Sequence, residues 1–163
     1  LRASLGAEPF DLPPCLKTGA EPVGVLTVGN FVEDDLADYL TTSGGGGLTT
    51  TIYRGFMPES PDEALQIVVT GGYSDVHAFG RVVEERPAVQ MVRRSPVANR
   101  ARAELQYIKQ FLSGSGDVTL NGTRYSWFSA LHPPFLLERD TANRWKFALN
   151  FTVAKAPTTS TST

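Results

Sequence analysis

The clearest pattern in the chain lies near its C-terminal end. Trp145, Phe147, Leu149, Phe151 and Val153 fall on one parity, and Lys146, Ala148, Asn150 and Thr152 on the other. A period of two over such a stretch predicts a strand covered on one face. Before it, "PFLLE" and the turn residues "RDTAN" complete a closing hairpin that "HPP" leads in. Two segments instead show the helical period. In "GNFVEDDLADYLTTSG", Val32, Leu36 and Leu40 recur at spacing four with Tyr39 beside them. Asn30 is placed to cap that helix, Glu33 sits at the capping-box position, and Asp34 and Asp35 suit the positive helix start. In "SPVANRARAELQYIKQFLSG", Val97, Ala101, Leu105, Ile108 and Leu112 line one face, and Asn99, Arg102, Gln106 and Lys109 lie away from it. Ser95 is the cap candidate there, Pro96 suits the first helical position, and Gly114 ends the helix.

The remaining elements follow from shorter signals. "LTTTIYRGFMP" predicts a strand over 49–57, "ALQIVVTGG" a second with Ile67, Val68 and Val69 as its core, and "PAVQMVRRS" a third. "YSDVHAFGRVVEER" has no clean period and is read as a loop or irregular edge. "VTLNG" and "TRYSWFSAL" are short strands joined at Asn121-Gly122, the strongest hairpin dipeptide. Residues 1–24 hold four prolines and scattered apolar side chains. They read as an extended arm, either an unstructured leader or one laid on a neighbouring subunit through Phe10 and Leu12. The tail 156–163 has nothing to bury. Helix, strands, helix, strands implies an α+β domain over 25–155, with a single mostly antiparallel sheet and two helices packed on one face.

Composition narrows the function more than it assigns one. The 163 residues suffice for one core, and a net charge of -2 gives no basic excess to draw the molecule to nucleic acid or an acidic membrane. One cysteine excludes an internal disulfide or a cysteine-built metal site. No apolar run approaches the roughly 20 residues of a membrane span, and the start lacks the pattern of a signal peptide. "GGGG" at 44–47 lacks the lysine and hydroxyl residue of a phosphate loop, so it reads as a flexible loop. "GSG" at 114–116 follows a helix rather than preceding one, which is the wrong order for a nucleophile elbow.

Few side chains remain as candidates for chemistry. Asp75 and His77 would share a side on a strand, which leaves an acid–base or metal pair open; an ordinary loop histidine is the simpler reading. His132 precedes two prolines and reads as a strand end. No cofactor and no catalytic group is expected. Arg93, Arg94, Arg100 and Arg102 gather around the start of the second helix. A phosphate contact and a partner's carboxylate surface both fit such a cluster, and interprotomer ion pairs would use the guanidinium's orientation. Reversing Arg100 and Arg102 to glutamate is then expected to weaken subunit contacts.

Several segments in order carry a resemblance: "FVEDDLADYL", "YRGFMPESPDEALQIVVTGG", "PAVQMVRRSPVANRARAELQYIKQFL" and "PPFLLERDTANRWKFALNFTV". Across about 30–155 the sequence resembles the tail terminator proteins of long-tailed bacteriophages, also called minor capsid or tail completion proteins. Pro133, Pro134, Phe135, Asp140, Arg144, Phe147, Asn150 and Phe151 stand where that family has its final hairpin. The resemblance implies a ring-forming subunit, a homo-hexamer in the virion, assembled in the bacterial host cytoplasm. Such a ring caps the tail tube protein, ends its elongation and joins it to the head–tail connector protein at the head–tail interface. Double-stranded DNA would pass through its lumen without sequence-specific binding, and no membrane is involved. The long arm and the glycine loop depart from the family pattern. The alternatives are another neck or tube ring component, or a small hydrolase using Asp75 and His77.

Overall fold

The computed structural model describes residues 31–44, 48 and 50–157. The arm at 1–24, Asn30, most of the glycine loop and the end of the tail lie outside these residues. The first helix, α1, runs Val32–Thr42, followed by β1 (Thr51–Arg54), β2 (Ala64–Ala78) and β3 (Arg81–Ser95). Helix α2 covers Ala98–Gly114, and β4 (Val118–Leu120), β5 (Thr123–Ala130), β6 (Phe135–Arg139) and β7 (Trp145–Lys155) complete the order. All seven strands join one sheet in the order β1-β2-β3-β7-β5-β4, with β6 also paired to β7. Every pairing is antiparallel except β1 with β2.

The closing strand is the hub of this sheet. Strand β7 pairs β3 on one side, and on the other it pairs β6 over 145–148 and β5 over 151–155. Its apolar parity faces the helices, but Ala148, Thr152 and Ala154 of the other parity are buried as well, so the strand is covered on both faces rather than on one. Leu149, Phe151 and Val153 face the helices together with Val89 and Met91 of β3 and Leu65 and Ile67 of β2, all buried. Helix α2 lays Ala101, Leu105, Ile108 and Leu112 on them, and α1 adds Val32, Leu36, Ala37 and Leu40. A fully buried side chain of this size contributes roughly 1.5–3 kcal/mol. That shared face supplies most of what holds the two helices to the sheet.

Local signals held unevenly. Asn121 and Gly122 both have positive φ, as a type I′ turn requires, and join β4 to β5. Helix α1 starts after Phe31, whose side chain makes no cap bond. The expected box partner Asn30 lies outside the described residues, and Glu33 accepts from the Val69 backbone N–H of β2 at 3.1 Å. Asp35 is not a solvated dipole partner but fully buried, accepting from Tyr125 Oη at 2.5 Å and Asn121 Nδ2 at 2.9 Å. Burial and then that carboxylate raise the Tyr125 hydroxyl far above its ordinary pKa, so it remains a donor. Helix α2 begins two residues later than the sequence suggests: Val97 is its N-cap and is half exposed, while Ser95 accepts from the Val97 N–H.

Two strand expectations need correction. The strand expected over 49–57 is only Thr51–Arg54, because Gly55 takes a φ of 71° and its N–H bonds Ile67. The connection 55–63 then returns over the helix-free side of the sheet, so that β1 runs parallel to β2. More consequentially, "YSDVHAFGRVVEER" is no loop. It forms the far halves of β2 and β3, which turn at Phe79 and Gly80, both at positive φ. Bulges between Val69 and Gly71 and around Val76 break the alternation, which is why the period of two was not visible. Gly72 is required there, since a Cβ would stand 2.5 Å from the Arg86 carbonyl oxygen.

Candidate assembly surface

Strand geometry separates the arginines that look like one cluster. Adjacent residues of β3 point to opposite faces of the sheet, so Arg93 turns under α2 while Arg94 turns to the helix-free side. Arg93 is fully buried. Its Nε donates to Glu104, one Nη reaches Glu63 at 3.3 Å, and the other donates to the carbonyls of Ala64 and Arg94. Arg100, half exposed, shares both carboxylates, 2.9 Å from Glu63 and 3.5 Å from Glu104. Thr50 also donates to Glu104 at 3.1 Å. Two arginines thus clamp two glutamates and pin the start of α2 to the β2–β3 edge. Arg102 is exposed on α2 and makes no ion pair among the described residues. Phe10 and Leu12 lie outside the described residues.

Arg94 sits in a second network on the helix-free face of the sheet, beside the turn of the closing hairpin. It donates to the carbonyls of Pro58 at 2.8 Å and Pro61 at 2.5 Å, and its buried Nε has no partner. Burial, and then the nearby Arg144, push its pKa down. Arg144 is itself buried and anchors the β6–β7 turn. Its Nε bonds Asp140 at 2.8 Å, and Nη1 bonds the Glu59 carbonyl at 2.6 Å and Asp62 at 3.1 Å. Asp140 accepts in addition from the backbone N–H groups of Ala142 and Arg144. A groove of about 430 Å³ opens between this turn and the 55–63 connection, with Phe56, Glu59, Arg94, Arg139 and Lys146 in its walls.

These carboxylates give the fold an acid-sensitive edge. Burial raises the Asp140 pKa, but the backbone and side-chain bonds from Arg144 outweigh it and hold the group below its ordinary 3.8. The bond from Arg124 lowers Asp117 in the same way. A depressed folded-state pKa contributes stability that is full above the unfolded value and is lost as pH falls through the folded one. Melting temperature is therefore expected to drop as pH goes below about 4. The Asp140→Asn variant should melt lower at pH 7 and show a shallower drop between about pH 4 and 2. Thermal melts at stepped pH check this; equal slopes in both proteins would refute it.

Besides scattered exposed apolar side chains at Phe31, Phe56, Val97, Tyr107 and Trp127, two groups of them gather at opposite ends of the sheet. At the end of the sheet near Ser95, strand β6 leaves Phe135, Leu136 and Leu137 39–49% exposed, with Leu131 just before it. At the opposite end, the β2–β3 hairpin carries Tyr73, Val83 and Phe79, the last fully exposed at the tip. Asp75 and His77 lie on that hairpin, both exposed. The His77 ring meets the backbone oxygen of Asp75 at 3.1 Å, with no bond to its carboxylate. Among the described residues no three His, Cys, Asp or Glu side chains gather as a metal site, and no helix is long and apolar enough to cross a membrane. The described residues offer contact surface, and no acid–base pair or nucleophile comes together on them.

Sequence reasoning missed the hairpin and the role of Arg144. The hairpin had one usable signal, Phe79-Gly80 between two stretches with Val76, Val82 and Val83, which the bulges obscured. For Arg144 only Asp140, four residues earlier in the turn, was a local signal; its other partners Glu59 and Asp62 are far away in the chain.

A family model described as "Bacteriophage tail terminator protein" matches residues 39–156. No curated protein matches the chain.

Proposed function

Since the chain belongs to the bacteriophage tail terminator protein family, we propose that it forms a hexameric ring that caps the tail tube, ends its elongation and joins it to the head connector. The observation that carries this reading is the extent of the family match. It runs from the last turn of α1 to just past the end of β7, so every strand and all of α2 belong to the matched region. The contact-rich, chemistry-poor surface supports a protein that works by assembly. In a sixfold ring each contact is head-to-tail, so two different faces of one subunit must be complementary. Of the arginine cluster, Arg100 and Arg102 present charge to solvent and are the members proposed as subunit or connector contacts; Phe10 and Leu12 of the arm are proposed as further contacts. A net charge of -2 suits a lumen that lets double-stranded DNA pass without holding it.

Electron microscopy of the purified protein, alone and with tail tubes, tests the reading. Sixfold rings, one at a single end of each tube, are the expected result. Extended polymers would make the protein a tube component, and rings that never sit on a tube would place it elsewhere in the neck. Arg102→Glu is the cleaner probe of the arginine contact, because Arg100 also holds Glu63 and Glu104. That variant is expected to keep its melting temperature and lose ring. An undisturbed ring would remove Arg102 from the interface.

A further inference from the structure

The β2–β3 hairpin outruns the rest of the sheet. Strand β1 covers β2 only as far as Ile67, and β7 covers β3 only from Glu85 onward. Among the described residues, 70–84 therefore stand as a two-stranded ribbon with no strand on either edge, and no residue from 70 to 88 is buried. Two strands without a covered face are marginal in water, and open edges invite pairing with another chain. This ribbon nevertheless carries Tyr73 at 58% exposure, Val83 at 46% and Phe79 at 103%. Such residues indicate a covered state.

The same chain offers a matching surface at its other end. Strand β6 pairs β7 by one edge and has no strand on the other among the described residues. It lies across β7 from 92–95 of β3, whereas the hairpin tip is at Arg81, where β3 begins. At about 3.3 Å per residue those places are up to roughly 45 Å apart, so a subunit cannot cover its own hairpin with its own β6. Both ends carry exposed charges that a neighbour can reach. Asp75 and Arg81 make no ion pair among the described residues. Near β6, Arg139 lies over the Trp145 ring and makes no ion pair among the described residues, and Glu59, 92% exposed, meets Arg144 at no closer than 3.8 Å. An aromatic side chain buries about 150–250 Å², so Tyr73 and Phe79 at their exposures alone offer roughly 250–400 Å². A standard interface takes about 800 Å² per partner, and the ribbon backbone with Val83 and Leu131, Leu136 and Leu137 opposite can supply the remainder.

We propose that the hairpin 70–86 of one subunit lies on strand β6 of a second copy of this chain, open edge against open edge, and so makes the head-to-tail contact of the ring. Phe79 and Tyr73 pack on Leu131 and Leu136 of the second copy, with Asp75 toward Arg139 and Arg81 toward Glu59. This proposal rests on the ring reading above and adds the faces that meet.

Two full-length variants test it: Tyr73→Asp with Phe79→Asp on the hairpin, and Leu136→Asp on β6. Sedimentation velocity is run on each and on their mixture, where the wild-type chain is fully assembled. Each variant alone is expected to lose the ring by about tenfold or more and to sediment as a monomer. The mixture has one intact hairpin and one intact β6, so it should give a one-to-one dimer and no ring. Since all three residues face solvent, melting temperatures should match wild type. If aspartate lowers one, Phe79→Ser or Leu136→Ser takes its place. Rings unchanged in the hairpin variant would overturn the proposal and leave the ring reading standing. So would rings that form but fail to cap tubes, which would assign the hairpin to the tube. Monomers that do not dimerise on mixing would overturn the hairpin–β6 pairing. A wild-type chain that is monomeric both free and on tubes would remove the ring reading and this contact together.

Discussion

Replacing Glu104 with alanine is expected to lower unfolding free energy by about 3–5 kcal/mol, the usual loss when one member of a buried ion pair is removed. Arg93 has no exposed surface, and Glu104 is the only carboxylate bonded to its Nε. Glu63 reaches a different nitrogen at a longer distance and is shared with Arg100. The alanine would leave a guanidinium charge under α2 with two backbone carbonyls and one distant carboxylate, at the point where the helix meets β2 and β3. Removing both charges together should cost much less. The pair Arg93→Met with Glu104→Leu substitutes packing for a desolvated ion pair. Its loss should fall short of the sum of the single losses by at least about 1 kcal/mol. Urea unfolding of the four proteins completes the cycle, with an unchanged m-value marking a pure change in stability. A Glu104→Ala loss below about 1 kcal/mol would mean that solvent reaches Arg93.

Phe151→Ala should be comparably severe, about 3–5 kcal/mol, from lost transfer energy and the cavity that remains. The residue has no exposure and lies on β7, with Val89 of β3 as one cross-strand neighbour and Ala130 of β5 as the other. Neither can fill the space, because both sit on the pleat of their own strands under α2. The conservative Phe151→Leu should cost under about 1.5 kcal/mol if packing is the whole reason. Denaturant midpoints distinguish the two variants. Equal losses would show that the aromatic ring has a role beyond filling volume. The effect should reach assembly as well, since β7 carries β6 on its other edge.

Placing β7 at the centre changes how the final hairpin reads. As a sequence it looks like the closing flap of a sheet; in the fold it joins the core to the one strand whose side chains are all exposed. Asp140 and Arg144 fix the turn between them, so the geometry of β6 depends on a buried network that no short motif announces. That turn therefore links the stability of the core to the position of the proposed contact surface.

The sequence by itself determined the elements whose side chains repeat regularly against one shared core. The stripes of α1 and α2, the alternation of β7 and the Asn121-Gly122 turn were all legible, because each depends on residues within a few positions of one another. Their order implied an α+β sheet with two helices on one face, and the resemblance carried by the same segments pointed to the family that residues 39–156 match. Tertiary structure decided the rest. Whether four neighbouring arginines form a patch depends on the strand's two-sidedness, which sends Arg93 to Glu104 beneath a helix and Arg94 to the carbonyls of Pro58 and Pro61 on the other side. Whether 73–86 is a loop or a projecting ribbon depends on bulges that a period of two cannot follow. A local pattern records which face of an element is covered; what covers it, and which surface is left for a neighbour, is set by residues far away in the chain.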